Sequence, residues 1–336
     1  MEQKAKKNNT FAEVGKVLEE AKKILIFTHV QIDGDCLGSA TALCRMLRNE
    51  GKEAWILMDE EVPGYLSFLE TDYCLIHPKE NHKELLEGAD LCFAVDCSDP
   101  GRFETLRDLF LQGPKTLCVD HHSTNVGFAD VNYVGRDCAA AAEVVYKLIR
   151  SMDKTIDPVM ATAIYTGMVT DTGQFQYSAT TAETHRIAAD LMECGADFLK
   201  VSIEVYQSHT MARVLLKGRI LSELELFADG KAAMAYVSQA LLAELGATMD
   251  EVEGVVEELR GIKGVEYAVF LKEINEDTVR VSLRSKEFAD VSAIGKQFGG
   301  GGHVRASGCT FKGTLGEART QLKKAVEEQW KALSTC

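Results

Sequence analysis

Two hydrophobic rhythms share the first 150 residues. Runs with little or nothing polar inside them, Ile24–Phe27, Ala54–Met58, Leu91–Val95 and Thr116–Val119, alternate with stretches such as Phe11–Ala21 and Leu37–Asn49, in which apolar residues recur every three or four positions. The short runs predict strands buried on both faces, and the others predict helices, the second ending before Gly51. Buried strands alternating with helices make an α/β domain with a mostly parallel sheet, preceded by a polar tail to about Thr10. Further along, Asp157-Pro158 predicts a capped helix start, and Thr180-x-x-Glu183 predicts a capping box for a helix ending near Gly195. The segment 197–227 is continuously helical in pattern and proline-free, which suits a connector. A second α/β unit follows, with strands expected at Ala232–Val237, Gly264–Lys272 and Thr278–Leu283. Its helices are expected at Ser238–Leu245, Met249–Leu259 and Val291–Phe298. The expected organisation is a domain over 1–196, a helical connector over 197–228 and a smaller domain over 229–336.

Composition narrows what these domains do. A chain of 336 residues that is 46% hydrophobic has enough apolar surface for two cores. Its formal charge of −14 argues against coating long duplex nucleic acid, but leaves room for short anionic substrates held in a locally positive pocket. Met-Glu-Gln-Lys-Ala-Lys-Lys has no apolar segment behind it, and no apolar run approaches about 18 residues, so neither secretion nor membrane spanning is expected. Ten cysteines without any Cys-x-x-Cys pair, among them Cys92 and Cys118 in apolar runs, read as reduced core residues of a cytoplasmic protein and not as a zinc site.

The candidate chemistry lies where the strands end. Ile24–Phe27 runs into Thr28-His29 and then Asp33-Gly34-Asp35, Leu91–Val95 into Asp96, and Thr116–Val119 into Asp120-His121-His122. In an open parallel sheet these carboxyl ends share one edge, where such folds build their sites. Asp171 follows an apolar helix that can reach the same edge. Any one such aspartate is ordinarily a helix cap or a turn former. Together, however, so many carboxylates repel one another unless protons or cations neutralise them. Imidazole with carboxylate oxygens suits Mn²⁺ or Mg²⁺, with Co²⁺ or Zn²⁺ less favoured, and the donors suffice for two ions.

These motifs, His29-x-x-x-Asp33-x-Asp35, Asp96, Asp120-His121-His122 and Asp171-x-Gly173, resemble those of the DHH phosphoesterase superfamily. Gly299-Gly300-Gly301-Gly302-His303-Val304-Arg305-Ala306-Ser307-Gly308 resembles the signature of its carboxy-terminal DHHA1 domain. Within the superfamily the chain is most similar to bacterial enzymes that combine oligoribonuclease with 3′-phosphoadenosine 5′-phosphate phosphatase activity. The resemblance implies one ion held by His29, Asp33 and Asp96, and another by Asp35, Asp96, His121 and Asp171, with Mn²⁺ the expected metal. It further implies that Asp120 orients an imidazole and that His122 faces phosphate. Arg102, close after Asp96, is a candidate for stabilising phosphoryl charge or an ordinary surface arginine.

Four glycines in a row ordinarily mark a flexible linker, but here they run directly into His303-x-Arg305 and a strand-like stretch. They are expected to bring backbone N–H groups close to an anion. Residues 280–310 carry five Lys or Arg against two acids, a locally basic segment in an acidic chain. Arg284, Gly300, Gly301, Gly302, His303, Arg305 and Ser307 are the expected substrate-binding residues, with Arg284, His303 and the glycine loop on a terminal 5′-phosphate. The expected substrates are short single-stranded RNA or DNA oligonucleotides and nucleotide bisphosphates; a homodimer is compatible with the sequence. Rival readings are a phosphodiesterase for the linear dinucleotide from cyclic di-AMP or for cyclic di-AMP itself, an inorganic pyrophosphatase, whose relatives lack the Gly-Gly-Gly-Gly-His303 signature, and a nucleotide sensor with an inactive site.

Overall fold

A computed structural model describes residues 8–69, 72, 74–76 and 87–334. The first seven residues of the expected polar tail lie outside them. The chain divides into two compact units, Met1–Ser208 and His209–Cys336.

In the first unit, strands β1 (Lys23–Phe27), β2 (Glu53–Met58), β3 (Cys74–Ile76), β4 (Leu91–Val95), β5 (Thr116–Asp120) and β6 (Val131–Val134) form one parallel sheet in the order β3-β2-β1-β4-β5-β6. Its helices are α1 (Phe11–Glu20), α2 (Gly34–Asn49), α3 (Arg107–Leu111), α4 (Ala141–Ser151), α5 (Pro158–Asp171), α6 (Ala182–Glu193) and α7 (Phe198–Tyr206). The apolar runs are continuous because both sheet faces are covered. Ile24, Ile26, Phe93 and Val95 pack with residues of α1, α2, α4 and α5, whereas Leu25, Phe27, Cys92 and Ala94 pack with Phe103, Leu109 and Phe110. The chain builds outward from β1 to β3 and then returns to β4 on β1's other side. That reversal opens a crevice at the carboxyl ends of β1 and β4.

The second unit holds α8 (Met211–Ser222), β7 (Glu225–Phe227), β8 (Ala232–Val237), α9 (Gln239–Leu245), α10 (Val255–Gly261), β9 (Tyr267–Asn275), β10 (Thr278–Ser285), α11 (Val291–Gln297), β11 (Gly301–His303), β12 (Ala306–Lys312) and α12 (Leu315–Ser334). Its sheet is mixed, in the order β11-β12-β10-β9-β8-β7, with only β8 and β9 parallel. Side chains of α11 and α12 pack on one face of the sheet and those of α8, α9 and α10 on the other.

Several expectations shift. The helix expected from Leu37 begins at Gly34, so Asp33 is its N-cap and Asp35 lies in its first turn. The capping box is one residue later than expected: Thr181 and Thr184 cap each other reciprocally, and Glu183 instead pairs with Lys147. The expected connector is not one element. The chain leaves the helix at Gln207, Thr210 caps a new one by accepting from the Arg213 N–H, and Glu225–Phe227 pairs as a strand with β8. Met249–Leu259 is likewise broken, because Gly254 takes a φ of 85° between a short 3₁₀ turn and α10. The strand expected from Gly264 begins at Tyr267. Neither β6 nor α12 was expected.

Candidate metal centre

Each strand end delivers its side chain to the crevice. His29 follows β1 and is 3% exposed; its Nε2 lies 3.4 Å from Asp96 Oδ2 and 3.9 Å from Asp33 Oδ2. Its Nδ1 edge meets the Val30 carbonyl and the Arg102 guanidinium, each at 2.9 Å. With the Nδ1 proton given to Val30, Nε2 presents its lone pair to a cation. Asp33 spends Oδ1 on the N–H groups of Asp35 and Cys36, leaving Oδ2 toward His29.

Asp35 is 2% exposed and serves two helix starts at once. It sits in the first turn of α2, and its carboxylate accepts from the N–H groups of Ala141 at 2.7 Å and Ala142 at 2.8 Å, opening α4. Ala140, the N-cap of α4, has no side chain that can do this, so Asp35 caps the helix from outside. Asp171 ends α5. What brings it near Asp35 is close helix contact: a Cβ on Gly38 would stand 2.3 Å from the Ala163 carbonyl oxygen, and one on Gly167 would stand 2.8 Å from Asp35 Oδ1. Neither glycine can be replaced without prising α2 from α5.

Asp96 is the centre of the group. It turns the chain after β4 with a φ of 54°, a region aspartate tolerates better than most residues, and is 3% exposed. Besides its approach to His29, its Oδ1 lies 3.6 Å from His121 Nε2 and 3.6 Å from His122 Nδ1. His121 Nε2 is also 3.6 Å from Asp171 Oδ2 and 3.9 Å from Asp35 Oδ2. Asp120, fully buried, accepts from His122 Nδ1 and the His121 N–H at 2.8 Å and from Asn125 Nδ2 at 2.7 Å.

Electrostatics divide these carboxylates into two kinds. Burial disfavours ionised Asp120, but the hydrogen bonds from His122 and Asn125 more than compensate, so its pKa is lowered. Burial equally disfavours a charged His122, and the bond to Asp120 outweighs it, so that imidazole's pKa is raised. The other kind is uncompensated. Burial, then the neighbouring Asp171 charge, lifts Asp35 to about 7; burial, then Asp33, lifts Asp171 to about 7. Asp96 is pushed well above the usual carboxylate range by burial and by Asp35, Asp33, Asp120 and Asp171, and its buried Oδ1 has no hydrogen-bond donor. A buried carboxylate oxygen without a donor, among mutually repelling oxygens and imidazoles, fits divalent cations.

Three predicted residues have company the sequence did not foretell. Arg102 lies 2.9 Å from His29 Nδ1, Asn125 fastens Asp120, and the Cys36 thiol joins His29 and Asp96 in a group whose potential ligand atoms lie within 4.8 Å of one another. Cys36 is the buried core residue expected and also borders the site, with burial pushing its thiol up to about 11. Its position in the first turn of α2, three residues beyond Asp33, was the signal.

In the second unit the glycines are structured. Gly299 has a φ of 73° after α11, and Gly301–His303 pairs with β12. A Cβ on Gly300 would stand 2.1 Å from the Gly308 carbonyl oxygen and one on Gly302 2.5 Å from that of Ala306, whereas nothing lies within 4 Å of one on Gly301. His303 is exposed. The other expected contacts have internal partners: Arg284 Nε donates to Glu257 at 3.0 Å, Arg305 to the Ala289 carbonyl at 2.7 Å, and buried Ser307 to the Gly301 carbonyl at 2.8 Å. Lys272 on β9 lies across from Arg280 on β10, and burial followed by that arginine lowers its pKa.

Comparison with known proteins gives this arrangement its family. The DHH family, N-terminal domain, matches residues 23–168, and the DHHA1 domain matches residues 229–332. The bifunctional oligoribonuclease and PAP phosphatase NrnA of Thermus thermophilus is 34% identical over 319 residues, 95% of this chain and 93% of that protein. The Bacillus subtilis protein of the same name is 29% identical over 291 residues, 86% and 89% of the two chains. Among solved structures, an exopolyphosphatase-related protein from Bacteroides fragilis superposes with a TM-score of 0.91 at 28% identity, over 96% of this chain and 97% of that one. The strand-end histidines and aspartates, the glycine signature and this full-length likeness agree: the chain belongs to the DHH/DHHA1 phosphoesterase family.

Proposed function

We propose that this protein is a divalent-metal-dependent phosphoesterase that cuts short oligoribonucleotides to 5′-mononucleotides and dephosphorylates 3′-phosphoadenosine 5′-phosphate to AMP. The observation that carries the reading is the buried Asp96 carboxylate, shared between His29 on one side and His121 and His122 on the other. The likeness to the NrnA proteins, over nearly the whole chain, supplies the substrates. His29, Asp33 and Asp96 would hold one ion, and Asp35, Asp96, His121 and Asp171 a second, Mn²⁺ being the expected metal. Bound there, such ions supply an activated water and neutralise phosphoryl oxygens.

The chain's own groups do the rest. Asp120 accepts from His122 Nδ1 and favours the charged ring, in which Nε2–H can donate to a phosphoryl oxygen. The Val30 carbonyl, accepting from Nδ1–H, fixes the plane of His29, and Arg102 lies at the same ring edge, 2.9 Å from Nδ1. In the second unit, Arg284, His303 and the backbone beside Gly301 would take a terminal 5′-phosphate. When the phosphorus attacked is a monoester the products are AMP and phosphate; when it is a diester, one 5′-mononucleotide is released.

The test is product analysis with Mn²⁺ on a 5′-labelled pentanucleotide, beside phosphate release from 3′-phosphoadenosine 5′-phosphate. Stepwise mononucleotides and released phosphate are expected. Absence of both would overturn the reading. Hydrolysis confined to the linear adenosine dinucleotide would replace it with the narrower phosphodiesterase.

A further inference from the structure

Cys36 is placed unlike the other described cysteines. Cys44 packs in one apolar core and Cys92, Cys97 and Cys118 in another, whereas Cys36 shares a group of potential ligand atoms with His29 and Asp96, all within 4.8 Å of one another and all on buried residues. No other cysteine among the described residues belongs to such a group. Its remaining hydrogen bond, to the Val95 carbonyl at 3.9 Å, is at the limit even for sulfur. Asp96 in the same group turns Oδ2 toward His29, 3.4 Å from Nε2, while its Oδ1, on the side of His121 and His122, is buried without a donor, so the carboxylate that reaches both sides is short of partners for its charge. A thiol at this position is a soft donor among hard ones, and softness is what separates metals of the same charge.

We propose that Cys36 Sγ is a ligand for the ion held by His29 and Asp96, and that it biases that position toward thiophilic divalent ions, Co²⁺, Zn²⁺ or Cd²⁺, over Mg²⁺. The inference rests on the metal-dependent reading above. On binding, the S–H bond breaks as the sulfur–metal bond forms and the proton leaves to solvent, with no change of oxidation state.

The full chain, freed of metal and kept reduced, is titrated with Co²⁺ alongside Cys36→Ser and Cys36→Ala. Visible bands report bound Co²⁺ whatever its ligands; a near-ultraviolet sulfur-to-cobalt charge-transfer band reports thiolate ligation. The native chain is expected to show both, and the two variants only the visible bands. In competition, both variants should lose Cd²⁺ affinity by about 10- to 100-fold, as for other ligand-environment losses, with Mn²⁺ affinity little changed. Co²⁺ bound to the native chain without the near-ultraviolet band, or a band surviving in both variants, overturns the role of Cys36 and leaves the metal-dependent phosphoesterase standing. No Co²⁺ bound at all overturns both.

Discussion

The crevice of the first unit and the glycine loop of the second are built on opposite principles. In the crevice, anionic oxygens are buried together without enough donors, and Asp35, Asp96 and Asp171 all hold protons more tightly than ordinary carboxylates. In the loop, the cations are already engaged, Arg284 by Glu257 and Arg305 by a carbonyl, and His303 stands in solvent. One region is incomplete until something binds; the other must exchange an internal partner for an external one. Frustration of the first kind commits a site to a single chemistry, whereas satisfaction of the second kind permits several ligands of similar charge.

The sharpest way to break the contrast is Asp96→Ala. It removes the carboxylate on which both halves of the crevice converge, and turnover on every substrate should fall about 10³-fold or more, the upper end for loss of one preorganised charged group. Elemental analysis should find fewer than two ions per chain. Near-normal turnover with two ions retained would dissolve the distinction.

Next in size are Arg284→Ala and His303→Ala. Loss of one charge-assisted hydrogen bond costs roughly 1.5–3 kcal/mol, about 10- to 150-fold in kcat/KM, and only on substrates bearing the 5′-phosphate. Bis(p-nitrophenyl) phosphate should barely register the change. Parallel losses on both substrates would show the loop serving the metals themselves.

A smaller effect concerns stability. Asp35 and Asp171 titrate at about 7 in the folded, metal-free chain against an ordinary 3.8, so their contribution is fully present below the ordinary value and is lost as pH rises through about 7. Metal-free protein should therefore melt higher near pH 5 than near pH 8. Added Mn²⁺ should raise the melting temperature near pH 8, and Asp171→Asn should narrow the gap by relieving a negative charge at a helix carboxyl terminus. Melting curves in chelator that coincide at the two pH values would contradict the frustrated crevice.

The smallest is Glu257→Gln, which frees Arg284 from an ion pair worth at most about 1 kcal/mol and should tighten 5′-phosphate binding up to about fivefold. Weaker binding would mean that Glu257 orients the arginine and does not compete for it.

Much of this was legible in advance for a physical reason. Where a buried strand ends in a polar residue, burial fixes the strand and topology fixes where its end goes, so His29, Asp96 and Asp120-His121-His122 followed from pattern alone. Contacts between elements were harder. Thr181 prevailed over Thr180 as a cap because its partner Thr184 could reciprocate, which neighbouring threonines do not announce. The long helix Leu315–Ser334 is announced only by a Thr-x-x-Glu spacing, Thr314 and Glu317 bonding each other across its first turn. Cys36 is the buried cysteine that its type predicts, but type alone does not announce the imidazole and carboxylate beside it, and a cation such as Arg102 near phosphate chemistry has two destinations that sequence does not separate.

The bond between Asp35 and the start of α4 bears on how this site can vary over time. Its donors are peptide N–H groups of Ala141 and Ala142, and only proline abolishes a peptide N–H. Substitutions at 141 and 142 other than proline are therefore filtered by volume and by the cost of burying polar groups, both residues being fully buried, while the peptide donors to the carboxylate are kept from one variant to the next. Short of proline, lineages of this chain can explore the packing around the crevice while the donors that grip Asp35 persist.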